Sequence, residues 1–159
     1  MAGAIGLVIL LSLILCVAFA MSGEKDEIAD DEYLYRRVPC KPPFFTPGVK
    51  APPSPEVFRP RDRDKNGLSL DRAKDVTLQE AATPPDGSQR KYLVARVRAE
   101  DLRKEGMIVE LDPDKPGHVL VPNLDYAHRR GKREGEWQVK MATELCEVFD
   151  PESESRVWP

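Results

Sequence analysis

The sequence predicts an α+β chain: one N-terminal transmembrane or signal helix, followed by a small mixed, mainly antiparallel sheet with two or three helices. Three observations predict it. Residues 2–21 form an apolar run without a charge, and all 24 Lys and Arg and all 27 Asp and Glu of the 159 residues follow it. Beyond it, short runs alternate between period 2 and helical spacing, and proline- and glycine-rich turns separate them. That mixture, in a stretch one domain long, gives an α+β class.

As a helix, residues 2–21 would cover about 30 Å, the thickness of a bilayer's hydrocarbon core. Ser12 is the run's one polar side chain, and apolarity all round calls for lipid or complete burial. Ala18-Phe19-Ala20 offers a small-x-small cleavage pattern, but no basic stretch precedes the run, so an uncleaved signal-anchor is preferred to secretion after cleavage near Ala20. Lys25, Arg36, Arg37 and Lys41 on the far side favour a cytoplasmic C-terminal domain, single-pass at the membrane.

An acidic spacer, 22–32, leads into Tyr33–Val38, where alternation predicts the first strand. Eight prolines between Pro39 and Pro60 then predict an extended connector within 33–66, pinned by Phe44, Phe45 and Phe58, with Pro52 and Pro55 at PxxP spacing. The core is expected over 67–150. "GLSL" reads as a strand, and "VTLQEAA" as a short helix with Thr77 and Glu80 in capping-box spacing. "KYLVARVRA" reads as a half-buried strand and "AEDLRKEG" as a helix stopped by Gly106. Met107–Leu111 and "HVLVPNL" read as strands. "WQVKMATELCEVF" reads as a helix that also fits an alternating strand, and 151–159 as a tail.

Interleaved charges, net −3, give no basis for a nucleic-acid partner. "RDRDKNGLSL" places Asp62, Asp64, Asn66 and Gly67 at calcium-loop spacing, but positions 8 and 12 are Ser69 and Ala73, so a polar turn is expected and no metal. His118 and His128 have no cysteine near them, which excludes standard zinc spacing. His118, at the start of an apolar strand, fits a general base or a hydrogen-bonded structural histidine. Cys40 and Cys146 allow one disulfide or two thiols.

The series "LYRRVP", "GLSLDR" and "DPDKPGHVLV" resembles a small-domain pattern carried by many uncharacterised bacterial proteins, over about Tyr33 to Leu124. The resemblance transfers no activity, since none is assigned to that pattern, and no cofactor is expected. It implies that Arg36, Arg37, Ser69, Arg72, Asp112 and His118 gather at one site, although each also reads as a turn or surface residue. An arginine strand, a serine strand and a late Glu110 or Glu147 also resemble the residue set of an arginine-serine-glutamate ADP-ribosyltransferase, without its serine-threonine-serine run. The expected function is a membrane-tethered binding module with a protein partner. The alternative is a small enzyme with a polar pocket using Arg36 or Arg37, Ser69 and His118.

Overall fold

The structure, a computed structural model, describes residues 26–61, 64, 66–84, 86–88, 91–124 and 132–159, the side chains of 132–134 excepted. The apolar run 2–21, Asp62 and His128 lie outside the described residues. Among those described, no helix is long and apolar enough to cross a membrane.

Among the described residues seven strands form one sheet: β1 (Tyr33–Pro39), β2 (Leu68–Arg72), β3 (Tyr92–Arg98), β4 (Glu110–Leu111), β5 (His118–Val121), β6 (Glu147–Asp150) and β7 (Ser155–Trp158). They lie in the order β4-β5-β2-β1-β3-β6-β7, and each pairing is antiparallel. The first strand in sequence is thus the central one. The helices are α1 (Leu78–Ala82), α2 (Ala99–Lys104) and α3 (Lys132–Lys140), the last continued by a π turn over Met141–Leu145. An α+β class with a small antiparallel sheet and few helices is what the pattern predicts.

Alternation assigns the two faces. Leu34 and Val38 of β1, Leu68 and Leu70 of β2, Leu93, Ala95 and Val97 of β3, and Val119 and Val121 of β5 point to one side. There they pack with Phe58, Leu102, Met141 and Ala142 in the main core. Burying such a set is the chief favourable term, at roughly 1.5–3 kcal/mol per large apolar side chain. On the opposite face α1 sets Ala81 and Ala82 against Val94, with Tyr35 and Tyr92 beside them. The Thr77–Glu80 capping box forms in both directions and satisfies the first N–H groups of α1.

Several elements depart from expectation, each for a visible reason. The acidic spacer is not free: Arg72 binds Glu32 and Asp26, and Arg103 binds Asp30 and the Ile28 carbonyl. The proline segment is pinned by buried Phe45 and Phe58 as expected, but it is not extended throughout: turns close Phe44 and Phe45 onto the Lys41 carbonyl and Val49 onto the Thr46 carbonyl, and Pro55 opens a 3-10 turn over Pro55–Phe58, which takes the PxxP out of a recognition helix. Of Met107–Leu111 only Glu110–Leu111 pairs. Asn123 takes the Ile108 N–H at 3.0 Å and donates to the Gly106 carbonyl at 3.1 Å, so a side chain replaces the ladder there. "WQVKMATELCEVF" divides, helical to Leu145 and a strand from Glu147, because Cys146 closes the π turn onto the Met141 carbonyl at 3.0 Å. The expected tail holds β7, paired to β6. Cys40 and Cys146 are free thiols.

Candidate functional site

On the α1 face of the sheet, between Pro84 and Asp86, which follow that helix, and the β4–β5 hairpin, lies an open cleft of about 790 Å³. Its floor is sheet. Ser69 and Asp71, two residues apart on β2, project together, and His118 of β5 stands opposite Asp71 in the register. Leu120 lies opposite Ser69, and Tyr35, Arg37 and Tyr92 bring in β1 and β3. Asp112, Asp114 and Lys115 reach it from the turn between β4 and β5, and Arg61, Asp64 and Asn66 from the loop before β2.

The centre is a hydrogen-bonded chain. Ser69 Oγ is 3.1 Å from His118 Nδ1, and His118 Nε2 is 3.2 Å from Asp71 Oδ1. His118 and Asp71 side chains are each 19% exposed, so both are sheltered yet open to the cleft. Burial lowers the His118 pKa below 6.5; Asp71 opposes this, Lys115 adds to it, Asp112 opposes it and Arg37 adds to it. The imidazole is therefore neutral at neutral pH. With Nε2–H donated to Asp71, the Nδ1 lone pair faces the Ser69 hydroxyl.

Two cations flank the pair. Arg37 Nε donates to the Ala81 carbonyl at 2.7 Å, and its guanidinium lies 5.9 Å from the Tyr92 ring centroid. Among the described residues no carboxylate pairs with Arg37 or with Lys115. Arg36 differs: it comes from the core side and donates to the Val57 carbonyl at 3.2 Å, the Ser69 carbonyl at 2.6 Å and Asp64 Oδ2 at 3.3 Å. Asp64 also accepts the Arg61 N–H at 3.0 Å, so this aspartate of the calcium-like stretch ties a loop together. Gly67 has φ +128°, and a Cβ on it would stand 2.6 Å from the Val121 carbonyl oxygen, which explains a glycine where the loop meets β5.

Of the residues expected to gather, Arg36, Arg37, Ser69, Asp112 and His118 line this cleft and Arg72 does not. Arg72 is 1% exposed, on the core-facing side of β2, bound to Glu32 at 2.5 and 2.7 Å and to Asp26 at 2.8 Å. The residue in the cleft is its neighbour Asp71, which alternation from Ser69 could have identified. Neither Glu110 nor Glu147 is in the lining; Glu147 binds Arg96 and Arg156 on β6, the far side of the sheet order. Among the described residues no group of three His, Cys, Asp or Glu could hold a metal ion. No family model, no curated protein and no solved structure matches the chain.

Proposed function

We propose that the chain is a small enzyme acting on an anionic ester, with Ser69 as nucleophile, His118 as general base, Asp71 orienting the imidazole, and Arg37 and Lys115 holding the negative charge. The observation that carries this is the Ser69–His118–Asp71 chain opening into a cleft beside two cations that pair with no carboxylate among the described residues. Ser69 Oγ–H passes its proton to Nδ1 as Oγ bonds to the ester's electrophilic centre. The same proton then leaves on the departing oxygen. Water repeats the sequence in reverse roles and frees the serine. Arg37 and Lys115 stabilise the charge that develops on the centre's oxygens.

A fluorophosphonate probe tests this, because it modifies activated serines. Modification of Ser69, lost in S69A and slowed in H118Q, supports the reading. A folded chain left unmodified at Ser69 would sink it and return the domain to the binding-module reading. We also propose that residues 2–21 hold the domain at a membrane, from their twenty uncharged positions; recovery of the full-length, C-terminally tagged chain in the soluble fraction would contradict that.

A further inference from the structure

The central strand is paired unequally on its two sides. β1 runs beside β3 through seven rungs, Tyr33↔Arg98 to Pro39↔Tyr92, but meets β2 at only Leu34↔Arg72 and Tyr35↔Asp71. Continued, that register would bring Arg37 opposite Ser69. The strands part instead, and the carbonyl that Ser69 would offer to a ladder accepts Arg36 Nη1 at 2.6 Å. We propose that Arg36 is a positioning residue for Ser69, a side chain standing in for a missing rung, which keeps β1 and β2 apart to open the cleft and fixes the serine against His118.

This rests on the reading of Ser69 as nucleophile, and the geometry carries it further. Among the described residues the guanidinium's fork reaches three places: Val57 on the 3-10 turn, Ser69 on β2 and Asp64 in the loop between them. One planar group thus sets the distance between the central strand, its neighbour and the cleft wall. A lysine, with one nitrogen centre, cannot span three acceptors in that geometry. On the other side of β2, Gly67 lies against the Val121 and Pro122 backbone, and Leu68 and Leu70 are buried. Ser69 is therefore held from both edges of its strand, with the Arg36 contact on the side where backbone pairing has stopped. Arg36 meets Asp64 and two carbonyls, whereas Arg37 meets one carbonyl and no carboxylate among the described residues. The two neighbouring arginines divide the work: Arg36 shapes and Arg37 binds.

The test is the rate of fluorophosphonate modification at Ser69, with protection by inorganic phosphate measured in parallel, on wild type, R36A and R36K. Displacing a reacting atom by about 1 Å costs on the order of a hundredfold in rate. The folded fraction of R36A should lose that much, while phosphate should protect it at the wild-type concentration, because Arg37 and Lys115 are untouched. Free guanidinium, far below denaturing concentrations, should restore part of the rate in R36A and none in an R36A/S69A double variant. R36K keeps the charge, carries the same expected loss, and serves if R36A does not fold. Wild-type rates in either folded variant, or failure of guanidinium to raise the R36A rate, would overturn the positioning role and leave the Ser69 reading standing. An unmodified wild type overturns that reading itself.

Discussion

Replacing Arg72 by methionine isolates what the charge buried beneath β2 contributes. Its guanidinium is 1% exposed and the Glu32 carboxylate facing it 9% exposed, at 2.5 Å. Hydrogen bonding to Glu32 raises the arginine's pKa, with burial opposing, so the cation persists at any working pH. R72M keeps an apolar stem of similar length but leaves Glu32 sheltered without a cation. Breaking a buried pair in this way costs about 3–5 kcal/mol. For a domain of this size each kcal/mol shifts Tm by roughly 3–4 °C, which gives a fall on the order of 10–20 °C. The double variant R72M/E32Q removes the stranded charge and should recover a substantial part of that loss. D26N should leave Tm near wild type, because Asp26 is 61% exposed. Thermal unfolding followed by far-ultraviolet circular dichroism reads all three. If R72M and D26N melt together, the ion pair with Glu32 is not what fixes residues 26–32 to the sheet.

Three further outcomes are expected. G67A should destabilise by at least about 1–3 kcal/mol in urea unfolding, from the positive φ alone, and a stability equal to wild type would refute the close approach to Val121. His118 has its pKa lowered on folding, so its contribution to stability is complete above 6.5 and is lost as pH falls from 6.5 through the lower folded value. Modification of Ser69 should fall over the same acid range, and a pH-independent rate would refute a base at that position. The Cys146 thiol is buried and its pKa pushed up to about 12, so iodoacetamide should modify it only after unfolding; reaction in the native chain, read by mass spectrometry, would contradict its burial.

The class of fold was legible because the strands alternate and the turns carry glycine. Gly106, expected to stop a helix, has φ +78°, and the Thr77–Glu80 box forms as spaced. Much of the cleft was legible for a related reason: Arg37, Ser69 and His118 each stand an odd number of residues from the buried Leu34, Leu70 and Val119 of their own strands, which puts them on the face away from the core. Arg72 was misplaced by one step of the alternation. A buried arginine bound to Glu32 and a cleft-facing Asp71 are adjacent letters, and only the period of 2 separates them. The docking of residues 26–32 was not legible, since its partners Arg72 and Arg103 are distant in sequence. β7 was hidden because its four residues are mostly exposed and show no apolar period. The closing strand at Met107–Leu111 was overestimated because a run of apolar letters does not reveal that Asn123 will take its backbone.

The placement of β1 at the middle of the sheet has a consequence during synthesis. Of the described strands β1 is made first, and both its edges stay unsatisfied until β2 and then β3 follow; its rung most distant in sequence joins Tyr33 to Arg98. Until then, Leu34 and Val38 sit on a nascent chain with open edges, a template for pairing with other chains. Pro39 ends that strand, and the seven prolines that follow it up to Pro60 neither extend it nor offer it a regular partner. His118 emerges later still, so Ser69 and His118 can meet only once the chain beyond β3 has been made.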